Sequence, residues 1–433
     1  MENLKGKTLL VMDRTALAAC AVKRAKELGL KTVVANWYPI EESPSKQIAD
    51  ITVDIDISNI DAMLELIKKY HIDGIFVGWT DSHLPFYAEI CEKANLPCIG
   101  TAKQFETLSN DKRMFKKACD KYGVPTVKEY TLDINLKRED LDKIEYPAMV
   151  KPADSSGSRG VRKCDTEEEL VEYYKQLYRE SASKKIICEK FMDCPNEIFF
   201  NYTVQDGYAS LSAAFMCHHV KNQETNAAPT ILHVYSSPYV QLYRDTVESK
   251  FISMLQGLNV KNAILSLQGF VDNNQFYFHE TGYRMGGGQS YIFTEKLNNI
   301  SALDMMIEYA VTGNITCADL KKDDNPIFNK SCCNYYVPLK PGKIKSITGL
   351  DKVRKMPQVL NVAVCHEVGN IISKTNSLDS VLYRMHVLDD TPEALAKTLE
   401  KISRTLRILD ENGNEMQLEE LTYESALQMI VNS

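Results

Sequence analysis

The chain has 433 residues, of which 44% are hydrophobic and 25% charged, with a formal net charge of −7. That length suffices for roughly three domains, and that composition for ordinary globular cores. The acid excess argues against a nucleic-acid surface or a basic membrane-binding face, leaving room only for a local basic cleft, and no apolar run approaches the ~20 residues of a membrane span.

The N-terminal heptad, Met1-Glu2-Asn3-Leu4-Lys5-Gly6-Lys7, lacks the apolar stretch of a signal peptide, so a soluble cytoplasmic protein is expected. Residues 7–12 read as a short strand, 15–28 as a helix stopped by Gly29, and 32–37 as a second strand. Residues 59–70 form an amphipathic helix with Leu64, Ile67 and Tyr70 on one side; 74–78 read as a third strand and 85–94 as a further helix. Alternation of this kind predicts a parallel sheet covered by helices. The first strand-to-helix turn, Met12-Asp13-Arg14-Thr15, lacks Gly-x-Gly-x-x-Gly, so no dinucleotide is expected there.

Residues 103–122 read as one long basic helix, stopped by Gly123 with Pro125 beyond. A strand over 146–151 leads into the polar loop Asp154-Ser155-Ser156-Gly157-Ser158-Arg159-Gly160. A helix follows over 166–179, with Thr166 as its cap and Glu169 three residues on. Strands are expected over 186–191 and 197–204, and a helix over 301–312. From residue 330 the texture changes to a strand-rich segment, 344–387, and then a helix with Thr391 at the N-cap and Pro392 at its first position. This last part is expected to be a separate α+β element packed on the core. The 12 cysteines include no Cys-x-x-Cys pair and read as free, mostly buried thiols.

The most telling stretch runs from Gln268 to Arg284. It reads as two short strands joined by the turn Asp272-Asn273-Asn274. An odd-length turn would place Gln268 and Glu280 on one face of the hairpin. Two oxygen donors on a rigid face, with Arg284 four residues further, suit magnesium and phosphate. Lys151 ends an apolar strand before Pro152 and the Gly/Ser loop, where a lysine reaches phosphates that loop amides wrap. Taken alone, Lys151 is as well read as a surface lysine before a turn, and Lys112, in Asn110-Asp111-Lys112-Arg113, as a solvated helix residue. The strand Ile186-Ile187-Cys188-Glu189-Lys190-Phe191 offers backbone groups to an adenine edge, with Phe191 near the base and Glu197 for ribose hydroxyls. Its plainer reading is a half-buried strand with charged flanks. Arg284 precedes Gly286-Gly287-Gly288, where the backbone can approach a ligand closely and a guanidinium can grip a carboxylate or acyl phosphate.

This ordered set resembles the ATP-grasp carboxylate ligases, in the branch of carbamoyl phosphate synthase-like proteins and L-amino acid ligases, over almost the full chain. The resemblance implies a mixed α/β and α+β fold. It would comprise a Rossmann-like pre-ATP-grasp domain (1–102), a small lobe with the phosphate loop (103–190), a large lobe with the metal site (191–329) and a C-terminal α+β lobe (330–433). The implied cofactors are ATP and magnesium, with manganese as a substitute. By resemblance, Lys112 and Lys151 would contact the phosphates, and Ser155, Ser156, Gly157 and Gly160 would belong to the loop over them. Glu189, Lys190 and Phe191 would form the adenine hinge and Glu197 would hold the ribose. Gln268 and Glu280 would bind the metal, and Arg284, with Lys151, would serve the chemistry. The implied reaction activates a carboxylate, expected to be that of an amino acid, as an acyl phosphate and joins it to an amine. A regulatory nucleotide-binding protein and a phosphotransferase are the alternatives. The chain departs from the family's Glu-x-Asn-Pro-Arg in having Gly282 at the asparagine position. Small-molecule partners are implied, without nucleic acid or membrane, and a homodimer is the favoured assembly by analogy.

Overall fold

Short apolar segments between helices set the architecture of the first hundred residues. The computed structural model describes residues 4–153, 160–181, 183–193, 196–220, 228–373 and 380–433. Four parallel strands open the chain: β1 (Thr8–Val11), β2 (Lys31–Asn36), β3 (Ile51–Asp54) and β4 (Gly74–Phe76), in the order β3-β2-β1-β4. β1 is buried throughout, as a parallel strand covered by helices on both faces must be. β3 was not expected from the sequence. It lies at the sheet edge and alternates half-buried Ile51 and Val53 with exposed Thr52 and Asp54, so it lacks the apolar run that marked its neighbours. The helix Ile60–Tyr70 buries Met63, Leu66 and Ile67; the expected stripe of Leu64, Ile67 and Tyr70 is rotated from this face by part of a turn.

The single helix expected over 103–122 is broken. A short helix, Ala102–Phe105, passes into a π turn, Glu106–Asn110, and a new helix starts at Lys112. Asp111 leaves helical geometry (φ −131°) and its carboxylate accepts the N–H groups of Arg113 and Met114, so a local cap outweighs the continuous helical pattern. The break places Lys112 in the first turn of its own helix, where its N–H donates to Ala153 O at 3.3 Å. The sheet that follows contains β5 (Glu129–Tyr130), β6 (Ala148–Pro152), β7 (Arg162–Cys164) and β8 (Ile186–Lys190), in the order β5-β8-β6-β7. The helix Glu167–Glu180, capped by Thr166, closes its core with Leu170, Tyr174 and Leu177.

The remaining strands are β9 (Glu197–Gln205), β10 (Tyr208–His219), β11 (Thr230–Tyr235), β12 (Ala263–Asp272), β13 (Gln275–Gly282) and β14 (Ser331–Pro338). After these come β15 (Gly342–Thr348), β16 (Val359–Val364), β17 (Ile371–Ile372), β18 (Val381–Asp389) and β19 (Arg407–Asp410). Eight of them make one sheet, in the order β13-β12-β9-β10-β11-β14-β18-β16. The segment beyond residue 330 is therefore not an outside element, because β14, β16 and β18 extend the sheet that carries the Gln268–Arg284 hairpin. Only β17, β15 and β19 form a sheet of their own; the helix Pro392–Thr405 packs against β18 and β14 and shares one core with it.

One apolar core joins the first domain to the large sheet, running from Leu9, Val33 and Ile75 through Phe105 and Phe115 to Phe200, Tyr202 and Leu267. The helix Ala302–Thr312 lies against β4, and Asp304 on it receives a two-pronged ion pair from Arg24, with both contacts at 2.7 Å. All cysteines among the described residues are free thiols. No helix among the described residues is long and apolar enough to cross a membrane.

Candidate functional site

The β12–β13 hairpin turns through two residues, Asn273 and Asn274, both in the left-handed region (φ +48° and +59°), with Asp272 paired to Gln275. An unbroken ladder from that turn would pair Gln268 with His279 and send Glu280 to the opposite face. The register instead shifts between Gln268 and Gly269, so Gln268 pairs directly with Glu280. The two side chains share a face through a β-bulge at His279, where the sequence reading expected an odd-length turn.

On that face Glu280 meets Lys112, whose Nζ lies 3.0 Å from Oε2. Burial alone would raise the Glu280 carboxyl. Lys112, with His279 and Lys151, outweighs it and brings the group to about 2. The Gln268 amide donates through Nε2 to Glu197 Oε1 at 2.5 Å, so the oxygen needed for a metal is not the atom Glu197 engages. Among the described residues there is no cluster of three His, Cys, Asp or Glu that could cage a cation. An ionised Glu280 that already holds one cationic group, beside one amide oxygen, fits magnesium only if phosphates and water supply its other ligands, which is how magnesium is usually bound.

Lys151 is buried at the end of β6, and its Nζ lies 2.5 Å from Glu189 Oε2. Lys116, also buried, pairs with the other oxygen of Glu189 and donates to Val127 O at 2.9 Å. Glu189 is only 3% exposed; burial pushes its carboxyl up, and the charges of Lys151 and Lys116 bring it below the ordinary range. Its side chain thus orients two lysines, and any adenine contact there falls to the backbone. The N–H of Lys190 is given to Lys128 O (2.9 Å) and that of Phe191 to Pro147 O (3.3 Å), so these two donors are engaged within the protein. The Lys190 side chain points outward to Glu145 at 3.4 Å, and the Lys163 ammonium lies 5.2 Å over the half-buried Phe191 ring.

Glu197 stands beside Gln268 and Glu280. Its Oε2 lies 2.9 Å from His219 Nε2, and the two groups favour each other's charged form against the effect of burial. Gly160 follows the loop in the left-handed region (φ +70°); Ser155, Ser156 and Gly157 lie outside the described residues. Arg284 lies past the end of β13, where Nε and Nη2 grip Asp81 Oδ2 at 2.8 and 2.7 Å and Nη1 donates to Met285 O at 3.0 Å. The glycine run then crosses the large sheet: Gly287 O accepts from Arg384 Nη1 at 3.3 Å, and Gly288 O from Asn334 and from His386 Nε2 at 2.9 Å. A Cβ on Gly288 would lie 3.1 Å from Asn334 Nδ2, which is the close approach expected of a glycine run. Beside it, Phe199 and Phe215 stack at 4.7 Å, and His233 stacks on Phe215 at 4.6 Å. Met216 on β10 is buried, and residues 221–227 lie outside the described residues.

The structure brings Lys112, Glu280, Gln268 and Glu197 into contact and sets Lys151 and Glu189 beside them. Sequence reasoning missed Lys116, His219 and Asp81. Lys116 had a signal, lying four residues after Lys112 on one helix face. The other two had none, because their partners are brought near only by the fold.

Residues 111–285 match the family described as carbamoyl-phosphate synthase L chain, ATP binding domain, and residues 335–409 match L-amino acid ligase C-terminal domain 2. The chain has an ATP-grasp fold. The L-amino acid ligase from Bacillus licheniformis superposes on this ATP-grasp chain with a TM-score of 0.78 at 18% identity, covering 94% of this chain and 100% of that one. The biotin carboxylase domain of Hydrogenobacter thermophilus 2-oxoglutarate carboxylase, solved with MgADP, ADP and bicarbonate, superposes with a TM-score of 0.76 at 20% identity, covering 95% and 91%. In sequence, the small subunit of that carboxylase is 28% identical over 213 residues, 45% of this chain and 44% of the relative. The chain spans less than half the length of the curated relatives it matches. The ionised Glu280 and the lysines around it suit an ATP-binding domain, which is what the match over 111–285 describes.

Proposed function

We propose that this ATP-grasp protein is an ADP-forming carboxylate–amine ligase, with an amino acid as the carboxylate substrate. The observation that carries the reading is the convergence of Lys112, Glu280 and Gln268 on one face within the matched ATP-binding domain, with Arg284 four residues beyond Glu280. A substrate carboxylate oxygen attacks the γ-phosphorus, the bond from that phosphorus to the bridging oxygen breaks, and ADP leaves. The amine nitrogen then attacks the acyl carbon and loses a proton, and the carbon–oxygen bond to phosphate breaks. Lys112 and Lys151 orient the phosphates, and Arg284 offsets charge on the transferred group. Glu280 and Gln268 would hold magnesium, which when bound would supply further neutralisation of the phosphate oxygens. Positioning does the work, and the activated acid must be kept from water, which would hydrolyse it. Glu189, Lys190 and Phe191 flank the adenine, with Glu197 near the ribose, and boundaries at 102 and 190 follow the same reading, whereas β14, β16 and β18 carry the large sheet on past 329. A cytoplasmic homodimer is its natural setting.

Incubation with ATP, magnesium and a mixture of amino acids and amines tests this, with ADP, phosphate and product masses as the readout. ADP together with a mass of acid plus amine minus water supports the ligase. Tight ATP binding with no ADP supports the regulatory reading, which Gly282 favours because it leaves the metal face without the family's asparagine. A stable phosphorylated product supports the phosphotransferase. Lys151→Ala and Glu280→Ala are each expected to abolish ATP turnover in a folded protein; wild-type turnover in either removes that residue from the site.

A further inference from the structure

Arg284 is held by a residue of a different domain. Asp81 lies past the end of β4, in the turn Asp81–His83, and its side chain is 15% exposed. One oxygen, Oδ2, receives Nε and Nη2 of Arg284 at 2.8 and 2.7 Å, and the other accepts the Ser109 hydroxyl at 2.5 Å. The Asp81 carbonyl accepts Asn110 Nδ2 at 2.9 Å. The backbone on either side of Arg284 is fixed by the same neighbours: Tyr283 N–H donates to Ser109 Oγ at 3.3 Å and Met285 N–H to Gly78 O at 3.0 Å.

A guanidinium has five N–H donors. Asp81 takes those on the Nε/Nη2 edge and Met285 O takes one on Nη1. One hydrogen on Nη1 and one on Nη2 remain, and these form the end of the fork. A carboxylate beside Arg284 also cancels part of the charge that phosphoryl transfer would use. Its benefit to the reaction is therefore one of geometry: it turns the end of the fork outward and stops the long side chain from rotating.

We propose that Asp81, supported by Ser109, is the positioning residue of Arg284, presenting the Nη1/Nη2 end of its guanidinium to the activated carboxylate. The proposal rests on the reading of Arg284 given above. It makes the first domain part of the catalytic apparatus, because the orientation of the reacting arginine is set from across a domain boundary.

The test uses the full chain with Asp81→Asn, Ser109→Ala, Arg284→Ala and the Asp81→Asn/Arg284→Ala double variant. Two readouts are taken: kcat and KM for substrate-dependent ADP release, and the rate at which phenylglyoxal labels Arg284, followed by peptide mass. Asp81→Asn is expected to lower kcat by about 10- to 100-fold, the cost of a misplaced group, with the KM for ATP within about twofold. It should also speed labelling of Arg284 several-fold. In the Arg284→Ala background it should have no further effect on turnover. Ser109→Ala, a milder change that serves if Asp81→Asn does not fold, should act in the same direction by about 2- to 10-fold. Unchanged kcat and labelling in the Asp81 and Ser109 variants, with turnover lost in Arg284→Ala, overturns the positioning role and leaves the ligase reading standing. Full turnover in Arg284→Ala overturns both roles assigned around that arginine. Labelling needs no substrate, so an unchanged rate counts against the proposal even if no ADP is released.

Discussion

Glu189 decides the state of two lysines at once. It sits between Lys116 and Lys151, all three buried, so removing the carboxylate takes Lys151's 2.5 Å partner and leaves Lys116 with the longer ion pair to Glu129 at 3.5 Å. Removing one member of a buried ion-paired group leaves uncompensated charge and costs about 3–5 kcal/mol. Glu189→Ala should therefore lower unfolding stability by about that amount in urea titration, and should abolish ATP turnover even where the fold survives. The chemical type of most site residues was legible in the sequence: Lys112, Lys151, Gln268, Glu280 and Arg284 stand in recognisable strings. The role of Glu189 was not legible. A glutamate in an apolar strand gives no sign of whether its side chain faces two lysines or solvent, and its burial is set by Lys116 arriving from a helix more than sixty residues earlier.

The bulge in the β12–β13 hairpin is the element on which the shared face of Gln268 and Glu280 depends. Deleting His279 would leave Glu280 opposite Gln268 in an unbroken ladder, whereas inserting one residue between His279 and Glu280 would turn Glu280 to the other face, since a one-residue slip inverts every side chain. ATP turnover is expected to fall by at least about 100-fold on insertion, as misplacement of a catalytic group does. His279→Ala, which keeps the register, should retain turnover within about tenfold; equal activity in the insertion and His279→Ala variants would show that the register does not matter. A faint sign of the bulge was present. Gly269 stands inside an otherwise regular strand, where an isolated glycine marks a bulge or close approach, and a Cβ there would lie 2.6 Å from Tyr277 O. The break at Asp111 was legible in the same weak sense: an aspartate inside a helical pattern can compete for backbone N–H groups, but nothing local showed that it would win.

Across the whole molecule, the first domain is joined to the large sheet through tight backbone contact as well as through ion pairs. A Cβ on Gly74 would fall 1.8 Å from Ala310 O, so β4 and the helix Ala302–Thr312 touch with no space for a methyl group. Gly74→Ala should cost about 1–3 kcal/mol by overpacking, read as a lower thermal unfolding midpoint. It should also weaken turnover if Arg284 is oriented from the first domain. Stability of the full chain should fall on acidification as well. Burial brings the fully buried His386 to about 4, and His233 and His279, by the same cause first, to about 3 and about 4. Between about pH 6.5, the ordinary value for an unfolded histidine, and these lower values, the unfolded chain binds protons that the folded chain refuses. Stability therefore drops as pH falls through that window, by up to about 1.4 kcal/mol per pH unit for His386 alone. Denaturant midpoints at pH 7 and pH 5 measure this, and His386→Gln should flatten the dependence.

The sequence by itself determined the local elements and the kinds of chemistry they carry. Alternating strands and helices, capped termini, a lysine before a glycine loop and a hairpin bearing Gln268 and Glu280 all follow from patterns within a few residues of one another. The tertiary structure alone decided which of these groups meet. The continuation of the large sheet through β14, β18 and β16, the clamp on Glu189 and the hold of Asp81 on Arg284 join residues tens to hundreds of positions apart. Short-range propensity carries no information about such pairings, because they are set by how apolar faces are buried and how buried charges are matched once the chain has closed on itself.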